Sequence, residues 1–367
     1  MAGKTSISWC TDVWNPIRGC SMVSTGCTNC YAEAQAGRFS GPGMPYEGLV
    51  RKTSQGWKWT GEVRLIEKDL EVPLHWRKPR RIFVNSMSDL FHEAVPDLWL
   101  LRIFDVMRQC PQHTFQILTK RPERMADICQ RLRFDGNYYD KRPKHIPLEL
   151  RTTCNGGVLW IADSPHGPGH RLMDGMPWVW MGVSVENQET AHERIPWLLK
   201  TPAAVHWVSA EPLLTSLDLN WYFSSHCPHC GNKGDERIRC GCMLCQVHYG
   251  RGYDKEHDDG TENRCFHGVG LDWIVTGGES GPKARPCHLD WVRSLAQQCQ
   301  QASVACWVKQ MGSKAYEISD WARARGSPLF ADRKGADPSE WPADLRVQCF
   351  PFMRWVDGKV SQEIARD

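Results

Sequence analysis

The chain has 367 residues, 41% of them hydrophobic and 24% charged, which is enough for a barrel-sized core with insertions and excludes global disorder. A formal net charge of +3 neither demands a nucleic-acid partner nor excludes one. No long apolar run marks a transmembrane helix, and the opening MAGKTSISWC lacks the charged-then-apolar pattern of a signal peptide, so the expected place is the cytosol. Disulfides are rare there, and the 17 Cys point instead to metal or redox chemistry.

In chain order, a weak apolar run at 6–10 precedes a first Cys cluster. Six stronger β-rich runs follow, at 82–87, 115–119, 178–184, 205–210, 273–277 and 306–310. Each ends in polar or Gly residues and leads into a helical pattern. Near-continuous apolar strands suit a sheet covered on both faces, and alternation with helices predicts a parallel sheet. The fold class expected is α/β, a partial (β/α) barrel. In that architecture chemistry sits at the C-terminal ends of strands. This gathers Asn85, Ser86, Ser88, Asp89, Thr119, Lys120, Arg121, Ser184, Glu186, Asn187, Ser209, Glu211, Gly277, Gly278, Glu279, Ser280, Lys309 and Gln310 around one mouth. Some of these, Ser88, Asp89 and Ser184 among them, are equally good helix caps. The barrel core is assigned to 1–220 and 271–320, with a loop insertion at about 134–176, an inserted Cys-rich subdomain at 221–270 and a C-terminal extension at 321–367. Most of the 18 Trp are expected to be core mass.

The first Cys cluster, WNPIRGCSMVSTGCTNCYAEA, places Cys20, Cys27 and Cys30 on one loop, with Cys10 nearby. Spacing alone leaves two readings open: a zinc site completed by Cys10, or a [4Fe–4S] cluster on three thiolates with one iron free. The position after the first strand of a βα array favours the cluster. An iron left open can bind S-adenosylmethionine, and electron transfer into its sulfonium yields a deoxyadenosyl radical.

Lys120 and Arg121 follow a strand and Lys309 ends another, which makes a positive mouth suited to phosphate and a substrate within a nucleic-acid strand. Arg80 and Arg81 are read as a solvated turn at the far face. In the second cluster, Cys227 and Cys230 and then Cys242 and Cys245 form two paired knuckles, with Cys240 as spare. Two such pairs about a dozen residues apart predict a structural zinc-ribbon-like site; a second iron–sulfur cluster is the alternative. A short insertion buries little apolar surface, and a metal would supply the missing stability.

The set WNPIRGC, GCTNCYAEA, FVNSMSDLFHE, ILTKRPERM, WMGVSVENQE, SAEPLL, VTGGESGPKARPCHLDWVRSL and VKQMG resembles a phage- and prophage-borne family. That family is similar to radical S-adenosylmethionine enzymes and more distantly to spore photoproduct lyase. The resemblance implies a barrel of the radical S-adenosylmethionine type, the cluster on Cys20, Cys27 and Cys30, and S-adenosylmethionine as cofactor. Six residues separate the first two Cys, against three in the commonest radical-enzyme pattern. Gly277, Gly278 and Glu279 look like the motif that holds the cofactor's amino group, but on a late strand. By position, Asn85, Ser86 and Ser88 are therefore expected at that group, Ser184, Glu186 and Asn187 at the ribose with Glu211 beside them, and Lys120, Arg121 and Lys309 at substrate. Cys287 and Tyr31 are the candidate hydrogen donors. The function expected is an isomerase- or lyase-class radical reaction on a nucleobase in DNA, either thymidine modification or pyrimidine-lesion repair. A reducing partner such as flavodoxin or ferredoxin and a host-cytoplasm setting go with it. The rival readings are a zinc-stabilised nucleic-acid-binding protein without catalysis and a radical enzyme acting on a small metabolite.

Overall fold

Seven apolar strands wind side by side into a curled, open half-barrel, and an antiparallel eighth lies on one edge. The computed structural model describes residues 2–135, 151–154, 157–165, 170–223, 270–317, 329–356 and 359–363. The elements used below are, in chain order, β1 Ala2–Lys4, β2 Asp12–Trp14, α1 Tyr31–Gly37, β3 Val50–Thr53, β4 Gly56–Trp59, β5 Arg81–Val84, α2 Asp97–Arg108, β6 Thr114–Thr119 and α3 Pro122–Arg131. Then come β7 Val179–Ser184, α4 Gln188–Lys200, β8 His206–Ala210, β9 Trp273–Gly277, α5 Leu289–Ala302 and β10 Ala305–Gln310. The sheet order is β1-β2-β5-β6-β7-β8-β9-β10, parallel from β2 onward.

Side chains alternate across each strand, and the sequence sorts them. In β6, Phe115 and Ile117 join the outer core, while Gln116 and Leu118 take the concave side. In β7, Val179, Met181 and Val183 face outward and Trp180 inward. The outer core is completed by helices such as α2, which buries Leu100, Leu101, Ile103, Phe104 and Met107. Helix α4 starts at Asn187, whose side chain accepts from the Thr190 amide while the Thr190 hydroxyl donates back toward Asn187.

The lower concave side is filled by Trp. Trp9 packs on Phe83 at 4.7 Å and on Trp207 at 5.3 Å between ring centres; Trp207 lies 5.2 Å from Trp273. Gly182 makes room for the Trp207 indole, which a Cβ there would overlap. Such aromatic pairs add about 0.5–1.5 kcal/mol each beyond area burial. Phe350, from the C-terminal segment, closes the bottom on Trp307 at 4.6 Å, and the backbone around it pairs with β10 through Val308 and Cys349.

Three expectations change. The apolar run at 6–10 is not a strand: Trp9 and Cys10 turn into the lumen as a plug, and the first parallel strand is β2. The run at 82–87 ends as a strand at Val84, because Asn85 adopts φ +58°, outside the strand region. The stretch expected as a loop insertion at 134–176 includes strands Arg151–Cys154, Gly157–Ile161 and His170–Arg171. With Leu132–Asp135 they make a four-stranded antiparallel sheet, and Leu159, Trp160 and Ile161 are buried. Cys227, Cys230, Cys242 and Cys245, the predicted zinc ligands, lie outside the described residues. Among the described residues no helix is long and apolar enough to cross a membrane.

Candidate active site

The loop from Gly19 to Cys30 leaves β2 and crosses the C-terminal mouth of the sheet. Gly19 opens it at φ +92°, with its α-carbon against the Glu62 carbonyl where a Cβ would overlap. Four strand ends then moor the loop. Beyond β5, the Ser86 carbonyl accepts from the Tyr31 hydroxyl at 2.5 Å. Beyond β6, Arg121 donates to Ser21 Oγ at 2.7 Å, and His92, in the segment after β5, meets the same hydroxyl at 2.8 Å. Beyond β7, Glu186 accepts the Gly26 amide at 3.2 Å. Beyond β9, Glu279 accepts from Asn29 Nδ2 at 3.1 Å, and Arg285 donates to the Thr25 carbonyl at 2.8 Å.

Cys20, Cys27 and Cys30 are all reduced and half-buried. Burial pushes the Cys20 thiol up to about 12; the Asp89 carboxylate adds to this, Arg121 opposes it, and the charge of Cys30 also bears on it. Cys30 is raised by burial too, with Glu33 and Cys27 contributing. Among the described residues, no three His, Cys, Asp or Glu side chains converge as ligands of a single ion. A four-iron cluster is larger than one ion and asks for thiols set further apart. Cys10 is elsewhere: it sits in the lumen beside Trp9, and burial pushes its thiol up to about 12.

Inside the mouth, alternation brings together the inward-facing residues of the strand ends. Lys120 Nζ donates to Ser184 Oγ at 2.9 Å, and Ser184 Oγ donates to the Glu211 carbonyl at 3.2 Å. The Glu211 carboxylate pairs with Lys309 Nζ at 3.1 Å. These four form one chain of two cations, a hydroxyl and a carboxylate. Cys287 is buried beside it: burial pushes its thiol up to about 12, and the charge of Glu211 adds to this. Tyr31 is 56% exposed, and burial of its hydroxyl raises its pKa.

Asn85 is unlike its neighbours. It is 2% exposed, holds a left-handed backbone, and neither its Oδ1 nor its Nδ2 has a partner. An amide left with both ends unsatisfied in a buried position at a strand end is what a ligand-binding side chain looks like without its ligand. By contrast Ser86 and Ser88 are occupied, on Asn15 Oδ1 at 3.2 Å and on the Ile17 carbonyl at 2.9 Å. Three half-buried thiols on one loop are the donor type that a thiolate-held cluster takes.

The remaining predicted residues serve the scaffold. Glu186 is fully buried against Arg194 at 3.0 Å and holds the Cys loop, not a free hydroxyl pair. Asn187 caps α4. Arg121 is buried between Asp89 at 3.0 Å and Glu93 at 2.8 Å. Burial alone would raise Glu279, but the Arg285 guanidinium and amide, with Asn29, hold its carboxyl below the usual range. Sequence reasoning missed Asn15, Asn29, His92 and Arg285, whose partners are distant along the chain.

No curated protein and no solved structure matches the chain. Over residues 4–350, which take in the half-barrel from β2 to β10 and the whole mouth, the chain belongs to the DUF5131 family, described as "Protein of unknown function (DUF5131)".

Proposed function

We propose that this chain is a radical S-adenosylmethionine enzyme acting on a nucleobase in DNA, encoded in a phage or prophage setting. The observation that carries the reading is that one loop bears three half-buried thiols and is moored across the C-terminal mouth of a half-barrel sheet. Cys20, Cys27 and Cys30 would hold a [4Fe–4S] cluster. When bound, that group supplies the electron that breaks a carbon–sulfur bond of S-adenosylmethionine and so provides a hydrogen-abstracting radical.

The chain's own residues orient and shelter the reactants. The Asn85 amide offers one donor and one acceptor to the polar end of the cofactor. Lys120 and Lys309 present cations at the mouth, and Ser184 and Glu211 fix their positions. Together they suit an anionic or hydrogen-bonding substrate. The Trp-filled lower lumen shuts the mouth from below and keeps water from the reacting region. Cys287, buried and protonated beside Glu211, is the preferred hydrogen donor over Tyr31, whose hydroxyl is committed to Ser86. The reducing equivalent would come from a flavodoxin or ferredoxin. In the Cys-rich insertion, Cys227, Cys230, Cys242 and Cys245 would hold zinc.

The test is anaerobic purification with iron and sulfide analysis, then reduction with dithionite in the presence of S-adenosylmethionine. A brown protein releasing 5′-deoxyadenosine, with release lost in Cys27→Ala and Cys30→Ala, is the expected result. A colourless zinc protein without cleavage would sink the reading.

A further inference from the structure

We propose that the β3–β4 hairpin and the adjoining end of α1 form a docking wall for single-stranded nucleic acid beside the mouth. This rests on the nucleobase reading and deepens it by naming the surface that grips the strand. Binding there needs neither a cluster nor S-adenosylmethionine.

The first observation is a repulsion built into the hairpin. Its register sets Arg51 directly opposite Lys58. Like charges facing across an antiparallel ladder destabilise it, so an opposite-charge pair would serve the fold better. Lys58 is relieved by Glu33 at 2.8 Å and donates to the Thr28 carbonyl of the Cys loop at 3.0 Å. Arg51 has no such relief. Together with Lys52 and Arg38 it is exposed and, among the described residues, makes no ion pair. Residues 31–60 contain Arg38, Arg51, Lys52 and Lys58 against Glu33 and Glu47, a local +2 within a whole-chain +3. These exposed cations follow the Cys loop in the chain, and an anionic polymer is the partner that would compensate them.

The second observation separates a nucleic-acid strand from other polyanions. Phe39 is 40% exposed and directly follows Arg38 in the chain, which leaves a flat ring open to solvent next to one of these cations. Unpaired bases stack on such rings while cations follow the backbone. A duplex hides its base faces and gains nothing from the ring. The wall is also firm. The Trp57 indole packs over Gly37, where a Cβ would overlap it, and Lys283 Nζ donates to the Gln55 carbonyl at the hairpin tip at 3.0 Å. A strand lying along the wall passes the mouth with its bases already unstacked, which a base must be to reach chemistry inside a pocket.

The experiment uses the full chain as purified, without reductant or S-adenosylmethionine. Fluorescence anisotropy follows binding of a labelled oligothymidylate of about 20 nucleotides, a length that covers at least one such site. Affinity should fall with salt, and Arg51→Glu/Lys52→Glu should lower the slope of log affinity against log salt by about 1.4, two phosphate contacts at about 0.7 each. The same double substitution should weaken binding at least about tenfold. Phe39→Ala should weaken it about fivefold or more with the slope unchanged. Arg51→Glu alone turns the repulsive pair into an attractive one, so its thermal midpoint should hold or rise while binding falls, which separates lost docking from lost folding. Wild-type affinity in the double variant would overturn the proposal, and so would tighter binding of matched duplex. Binding to phosphatidylserine vesicles in place of the oligonucleotide would assign the patch to a membrane surface instead. Deoxyadenosine release from a protein that ignores the oligonucleotide would remove this proposal and leave the radical chemistry standing.

Discussion

Replacing Glu186 with Ala should destabilise the protein by about 3–5 kcal/mol, the range for removing one partner of a buried ion pair. Glu186 and Arg194 are 0% and 1% exposed and 3.0 Å apart. Without the carboxylate, Arg194 keeps its bond to the Ser184 carbonyl at 2.7 Å, but its charge is left uncompensated in the core, and its Nε already lacks a partner. Urea unfolding followed by circular dichroism measures the loss. Glu186→Leu/Arg194→Met should be less destabilised than Glu186→Ala, because a buried pair replaced as a whole leaves no stranded charge. Glu186 also accepts the Gly26 amide at 3.2 Å, one residue before Cys27. Alkylation of Cys27 in the reduced, metal-free protein should therefore quicken in Glu186→Ala under conditions where the protein stays folded. A stability change below about 1 kcal/mol, the size expected of an exposed pair, would refute the reasoning.

Two other perturbations read the same architecture. Asn85→Gly removes an unsatisfied buried amide and a left-handed non-Gly residue, so it should raise stability by about 1 kcal/mol in urea unfolding while weakening S-adenosylmethionine binding in calorimetry; a loss of stability with unchanged binding would mean the amide serves the fold. Burial lowers the pKa of His113 and of His206, whose rings bond to the Pro73 carbonyl at 3.2 Å and the Thr201 carbonyl at 2.8 Å. The unfolded chain takes up protons that the folded one refuses, so stability is full above about pH 6.5 and falls as pH drops below it, and a urea midpoint constant from pH 8 to pH 5 would contradict this.

The sheet was legible because each parallel strand is an apolar run ended by a polar residue, and six of seven were placed within a few residues. The run at 6–10 failed for a physical reason. Trp9 and Cys10 are as apolar as a strand, and composition does not separate a residue paired in a sheet from one inserted into its lumen. The end of β5 was misplaced because Asn85, not the end of the apolar run, turns the backbone. At the site, the Cys loop was legible from thiol spacing, and Lys120, Ser184, Glu211 and Lys309 from their places at strand ends. The roles of Glu186 and Glu279 were not. Their loop partners, Gly26 and Asn29, lie 160 and 250 residues away, and only closure of the sheet brings them together.

That closure divides the polar groups of the mouth by what they already hold. Glu186, Glu279, Asp89 and Arg121 have their partners within the protein; Glu186, Glu279 and Arg121 each hold a residue of the Cys loop, and Asp89 holds Arg121. A ligand could engage them only by releasing the loop that carries the thiols. Asn85 has no partner to give up. Lys120 and Lys309 sit half-exposed, each with a single partner in the mouth and hydrogens to spare for another acceptor. Selectivity for a bound molecule must therefore come from the second group, since interactions that cost an existing bond contribute little net free energy. A substitution in the first group should unsettle the loop and lower stability, whereas one in the second should change binding without a loss of stability.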